Sequence, residues 1–237
     1  MTDVKATWKD IWEKKSRVNN IVLECLLKAN GYNSLGGSLS VADFKGYVGE
    51  LFSFVGIEKK HSIFDVGCGS GAFVYEHFLR GGVVGGIDYS SQLIGIAKGF
   101  MPNADFVEGD ARKINTNETY DVVTSLSVFQ YFDDLKTAET VLGQMCNIAK
   151  RTVAVLDIID ESKSEIYHSE RIEKFKKNGL LESDYWEKYS DLKHLFYSKD
   201  FFQDYAVKSN LDIKVAPQTN INYENSKMRF NVVFSKK

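Results

Sequence analysis

Proline, cysteine and long apolar runs are what this chain has least of. Two prolines in 237 residues leave no Pro-rich linker, and no internal repeat or low-complexity tract points to a solenoid or a disordered arm. The three cysteines, Cys25, Cys68 and Cys146, are odd in number and far apart, with no C-x-x-C pair. Neither a disulfide framework nor a zinc site is expected, and no metal is assigned. No apolar stretch approaches the roughly 20 residues that cross a bilayer. Met1–Asp10 is charged and lacks the apolar core of a signal peptide, so a soluble, cytoplasmic protein with no membrane partner is expected. An excess of one charge is missing too. With 30 basic and 32 acidic residues the net charge is −2, so no global field draws nucleic acid, and none is expected as a partner.

What remains is an ordinary globular composition, 43% hydrophobic and 26% charged, enough to bury a large core. The length suits one α/β domain with an accessory segment, as a monomer or a homodimer. Residues 5–29 read as a helix, because Val18, Ile21, Val22, Cys25, Leu26 and Ala29 recur at three- and four-residue steps and Asn30-Gly31 supplies the stop. Val41–Phe54 reads as a second helix. From residue 61 the pattern turns to short β-branched runs separated by helical stretches. Strands are expected at 62–66, 83–87, 104–107, 120–125 and 152–159, with helices at 72–79, 91–100 and 135–149. Such alternation means βαβ units and a mostly parallel sheet buried on both faces. Residues 160–197 break the rhythm with one or two Lys/Glu-rich amphipathic helices, and a helix at 198–209 and strands at 211–215 and 228–234 close the chain. The expected organisation is an N-terminal helical cap segment at 1–58 and a main domain at 59–237, with a helical lid insertion at about 161–195.

The chemistry concentrates in Asp65-Val-Gly67-Cys68-Gly69-Ser-Gly71, at the end of the first strand and the start of a helix. Its glycines let the backbone turn tightly with no side chain between it and a ligand, and the helix start offers unpaired N–H groups. Asp88 ends the second strand, 21 residues after Gly67, where a carboxylate can accept two bonds from ribose hydroxyls. Asp110, in Glu108-Gly-Asp-Ala111, follows the third strand, within reach of an adenine amine. Asp65 precedes the first glycine by two residues, a position that disfavours a pyrophosphate and suits a cation. Three carboxylates at successive strand ends on one rim form a pattern that isolated capping residues do not.

These segments resemble the motifs of the class I S-adenosylmethionine-dependent methyltransferases. Ile63–Ala72 is similar to the family's first motif, an acidic residue followed by G-x-G-x-G. Gly86-Ile-Asp88-Tyr89-Ser resembles the second, whose acidic residue binds the ribose, and Phe106–Ala111 the third, whose Asp meets adenine N6. Tyr120–Phe132, with Ser125, Leu126 and Ser127, resembles the fourth, which passes beneath the methionine part of the cofactor. The resemblance covers about residues 60–160. It implies a three-layer αβα Rossmann-like fold with a seven-stranded, mostly parallel sheet of order 3-2-1-4-5-7-6, and S-adenosylmethionine as cofactor. One departure is the family's Pro-Gly-Gly turn before the fifth strand, replaced here by Ala149-Lys-Arg151. Gly67-x-Gly69-x-x-Ala72 also satisfies the dinucleotide fingerprint, so an NAD(P)-binding oxidoreductase is an alternative. Against it stand the roughly sixty residues before the first strand and the charge of Asp65. A cofactor-binding interaction domain that no longer transfers methyl is another alternative.

The reaction implied is in-line transfer of a methyl group to an oxygen or nitrogen of a small-molecule acceptor. A general base is needed only for an acceptor that arrives protonated. The family puts the acceptor beside the N-terminal segment, the loop after the fourth strand and the insertion. Candidate catalytic residues are therefore Gln130, Tyr131, His168 and His194, and candidate pocket residues Tyr32, Asn33 and Tyr197. Arg17 is a candidate partner for the cofactor's carboxylate.

Overall fold

The computed structural model describes residues 23–32, 39–114, 117–190 and 192–237. Arg17, Asn33 and most of the helix expected at 5–29 lie outside the described residues. Helix α1 (Leu23–Ala29) and α2 (Val41–Val55) precede the sheet. Local chemistry sets the limits of α2: the Ser40 hydroxyl accepts from the Asp43 N–H, and Gly56 closes the helix at φ 80°.

The alternating part follows as β1 (Ile63–Val66), α3 (Ala72–Leu79), β2 (Val84–Asp88), α4 (Ser91–Phe100), β3 (Asp105–Glu108), β4 (Tyr120–Leu126), α5 (Leu135–Ile148) and β5 (Ala149–Ile159). Then come α6 (Ser164–Lys177), α7 (Glu182–Tyr189), α8 (Lys199–Lys208), β6 (Leu211–Pro217) and β7 (Arg229–Lys236). All seven strands form one sheet in the order β3-β2-β1-β4-β5-β7-β6. Pairings from β3 to β5 are parallel, and β7 runs antiparallel to both β5 and β6. The antiparallel insertion of β7 departs from the dinucleotide-binding order 3-2-1-4-5-6 and matches the order expected from the methyltransferase resemblance.

Alternation along the strands divides the core in two. Val122, Ala154 and Leu156 face α1–α4 with Leu26, Phe44, Tyr47, Leu51 and Phe73, while Val123, Val153 and Val155 face α5 and α8 with Leu142, Met145 and Phe202. The described part of the N-terminal segment therefore shares one core with α3 and α4. The missing Pro-Gly-Gly turn also has a structural outcome: Ala149, which caps α5, already pairs with Tyr120, so β5 begins directly at the helix end.

The insertion is anchored where it leaves and rejoins the sheet. Tyr197 donates its N–H to the Ile159 carbonyl and accepts from the Glu161 N–H, and Tyr167 packs with Ile159 and Met228. The carboxyl ends of β1–β5 share one rim, and the strand order reverses between β1 and β4. A parallel sheet opens a crevice at such a reversal.

Candidate active site

A cavity of about 660 Å³ lies on that rim. The Gly-rich turn forms its floor. Gly67 and Gly69 both have positive φ, 74° and 54°. A methyl group on Gly69 would lie 2.5 Å from Asn30 Oδ1, and one on Gly67 would run into Val128. The turn is thus wedged between α1 and the loop after β4, with its backbone at the cavity wall. Asn30 Oδ1 accepts from the Ser70 N–H at 2.8 Å, and the Ser70 hydroxyl donates to the Leu26 carbonyl at 2.9 Å. Asn30 lines the cavity; in the sequence it reads only as a helix stop.

Asp88, buried at the end of β2, accepts the Gly69 N–H on Oδ2 at 2.8 Å and the Ser90 N–H on Oδ1 at 2.9 Å. Each oxygen keeps a lone pair for a further donor, and the residue lines the cavity beside Tyr89, Leu93, Ala111 and Ile87. Burial pushes its pKa up, and the two N–H bonds oppose that rise. A carboxylate with one unused acceptor site on each oxygen, beside an apolar slot, fits the ribose and adenine of a nucleoside. Asp110 also lines the cavity, but Arg112 grips both its oxygens, with Nη2 at 2.6 Å and Nε at 2.9 Å from Oδ2. That pair holds the Asp110 carboxyl below its usual pKa, so an adenine amine would have to share it with Arg112.

Asp65 sits beneath the turn and does not reach the cavity wall. It is 2% exposed, accepts from the Thr124 hydroxyl at 2.7 Å, and burial pushes its pKa up to about 7, with Asp88 adding to the rise. Cys68, Gly71 and Ser125 are likewise buried supports rather than wall residues: Ser125 donates to the Val66 carbonyl, and Gly71 turns at φ 81° against Met101. Leu126 and Ser127 do line the cavity.

The other end of the cavity is built by the loop after β4, by β5 and β7, and by the insertion. Ser127 and Asp157 both adopt positive φ, 58° and 61°, conformations that cost non-glycine residues about 1–3 kcal/mol each and collect at functional sites. Their side chains hydrogen-bond to each other, and the Tyr223 hydroxyl donates to Asp157 Oδ2 at 3.0 Å. Arg229, buried beside them, donates Nη1 to the Asp157 carbonyl at 3.0 Å and to Gln130 Oε1 at 3.3 Å, while Gln130 Nε2 donates to the Ser127 carbonyl at 2.8 Å. Its Nε stands 3.8 Å from Asp157 Oδ1, too long for a hydrogen bond. Burial alone would lower the Arg229 pKa; the neighbouring Asp157 and Tyr223 outweigh it and raise it.

Of the catalytic candidates, Gln130, Tyr131 and His194 line this end and His168 does not. His194 Nδ1 lies 2.5 Å from the Tyr167 hydroxyl, and its ring centroid is 5.3 Å from that of Tyr131. Burial, then Arg171 and Arg229, holds its pKa well below the usual imidazole value. His168 instead hydrogen-bonds to the Tyr185 hydroxyl among the aromatic rings of the insertion. Tyr32 lines the cavity. Tyr197 does not: its ring is fully buried with Phe129 and Phe202, and its hydroxyl donates to the Phe129 carbonyl. It packs the base of the insertion. Asp157, Arg229 and Tyr223 were missed in the sequence. A signal existed for Asp157, a single carboxylate in the apolar run Val153–Ile159.

Residues 63–152 match the family model described as Methyltransferase domain. The chain is 24% identical over 176 residues to the putative methyltransferase 235L of Invertebrate iridescent virus 6, covering 70% of this chain and 61% of that protein. It is 32% identical over 84 residues to a malonyl-[acyl-carrier protein] O-methyltransferase of Ilyobacter polytropus, covering 33% and 31% of the two chains. The matches thus span less than two thirds of the length of either relative. Among solved structures, magnesium protoporphyrin IX methyltransferase from Synechocystis PCC 6803 with bound S-adenosylmethionine superposes with a TM-score of 0.59 at 13% identity, covering 88% of this chain and 90% of that one. Residues 63–152 thus carry a methyltransferase-domain match, and the motifs stand at the expected strand ends in a sheet of order 3-2-1-4-5-7-6, the fold expected from the resemblance to the class I S-adenosylmethionine-dependent methyltransferases.

Proposed function

We propose that this protein transfers the methyl group of S-adenosylmethionine to an oxygen or nitrogen of a small-molecule acceptor. The observation that carries this reading is Asp88, whose buried carboxylate is held by the Gly69 and Ser90 N–H groups and opens onto the cavity with an acceptor site left on each oxygen. Asp88 would take the ribose hydroxyls, and Leu93, Ile87 and Ala111 would flank the adenine. Gly67, Gly69 and Ser127 would bring backbone against the methionine part. By name, the relatives act on malonyl-[acyl-carrier protein] and magnesium protoporphyrin IX, which supports an acceptor other than nucleic acid.

When bound, the cofactor supplies a methyl group on a sulfonium, so the leaving group is neutral. The work left to the chain is alignment and exclusion of water. Helices α6 and α7 serve as the lid, with Arg171, Phe175 and Tyr189 on the cavity side. Gln130 and Arg229 tie the loop after β4 to β5 and β7 and act as positioning residues. His194, neutral at pH 7 and held by the Tyr167 hydroxyl, takes the proton of an acceptor that arrives protonated.

Calorimetric titration with S-adenosylmethionine and S-adenosylhomocysteine tests the reading, with NAD as control. Asp88→Ala should weaken either sulfur ligand by roughly 1.5–3 kcal/mol, about tenfold or more. NAD binding without sulfur-ligand binding would overturn it.

A further inference from the structure

Among the described residues, the acceptor end of the cavity carries more positive charge than its carboxylates balance. Arg229 is matched by Asp157, and Lys174 by Glu224 at 2.8 Å. Arg171 and Lys188 have no acidic partner within ion-pair distance among the described residues, although both line the cavity. Among the described residues the remaining acid that lines the cavity is Asp133, which acts on Arg112, so Arg171 and Lys188 leave positive charge at this end.

The disposition of Arg171 gives that charge a direction. Its guanidinium lies over the Tyr167 ring, 3.7 Å from the centroid, and that ring is fixed by the Tyr167–His194 hydrogen bond. Stacking occupies the face of the guanidinium and leaves the N–H edge for an oxyanion, the geometry in which arginine binds carboxylate with two parallel bonds. Lys188 is held against aromatic rings in a similar way, 5.5 Å from the Phe175 centroid and 5.8 Å from that of Tyr189. Cations steadied by π-faces rather than by acids are ready to receive an anion without first breaking an ion pair. The low pKa of His194, caused by burial and then by Arg171 and Arg229, reports the same positive field.

We propose that the methyl acceptor carries a carboxylate that docks on Arg171 and Lys188 beneath α6 and α7, as the handle that orients it and not as the atom methylated. This rests on the methyltransferase reading and names its substrate class. Cations with no acidic partner among the described residues complement an anion, and a carboxylate whose charge is neutralised by a guanidinium and an ammonium is a poor nucleophile, which leaves a separate hydroxyl or amine to be methylated.

The test uses the full-length protein saturated with S-adenosylhomocysteine at low ionic strength. Phenylacetate and phenylacetamide are titrated as a matched pair, with phenyl phosphate as a third probe. Phenylacetate should bind about tenfold tighter than the amide, and Arg171→Gln and Lys188→Gln should each reduce that preference to about threefold or less. S-adenosylhomocysteine affinity of each variant reports its folding. Equal binding of acid and amide, binding of no probe, a preference that survives both substitutions, or phenyl phosphate binding tightest would each overturn the carboxylate while leaving the methyltransferase reading in place. Failure of the wild-type protein to bind S-adenosylhomocysteine would instead sink that underlying reading.

Discussion

Replacing Asp65 with Asn should stabilise the protein at neutral and higher pH while harming its use of cofactor. The Asp65 carboxyl is buried under the Gly-rich turn and its pKa is pushed from 3.8 to about 7. A group whose folded pKa lies above its unfolded value favours the folded state below the unfolded value, and that contribution is lost as pH rises to the folded value. Across 3.8 to about 7 the loss amounts to about 4 kcal/mol. Asn keeps an oxygen for the Thr124 hydroxyl but brings an amide whose unmatched hydrogens cost about 1–3 kcal/mol. The net gain at pH 8 should be about 1–3 kcal/mol. Urea unfolding of both proteins at pH 4.5, 6 and 8 reads it directly: the advantage of Asp65→Asn should grow with pH and level off above 7. A difference independent of pH would refute the idea that the wild-type carboxylate is held in a desolvated state. Affinity for S-adenosylmethionine should fall in the same variant, since the turn would lose the negative charge beneath a cationic ligand.

Other perturbations separate the parts of the site. Gly69→Ala should lose about 1–2 kcal/mol of stability, because its φ of 54° disfavours a side chain and the new methyl meets Asn30; cofactor binding measured by calorimetry should fall with it. Arg112→Ala should strengthen S-adenosylhomocysteine binding severalfold if the freed Asp110 takes the adenine amine, and unchanged affinity would remove Asp110 from the adenine site. With a hydroxyl or amine acceptor, kcat/KM should fall on the acid side only well below pH 6.5, following the lowered His194 pKa. His194→Gln should lower the plateau and abolish that limb, whereas a limb that persists would assign it to another group.

The end of the cavity around the Gly-rich turn was legible because its pattern is local. A strand end, a tight turn and a helix start within Ile63–Ala72 leave few conformations open, and Asp88 and Asp110 recur at the ends of the next two strands, so spacing alone put them on one rim. Apolar periodicity marked the described helices and every strand to within about three residues; one slip of that size, at the start of β5, followed from a turn that Ala149-Lys-Arg151 no longer makes.

The other half of the cavity had no such signature, because its members come from distant parts of the chain. Asp157 ends β5, Arg229 begins β7, Tyr223 precedes it, and Arg171 lies on α6. They meet only because β7 inserts antiparallel beside β5 and the insertion folds back over the rim. Periodicity could not separate Tyr131, which faces the cavity, from Tyr197, which is buried, since both are aromatic residues in segments between strands. By itself the sequence determined the order of elements and the cofactor turn, where neighbours in the chain are neighbours in space. Tertiary structure alone decided which buried charges pair and which face the cavity, because that depends on long-range packing between β5, β7 and α6.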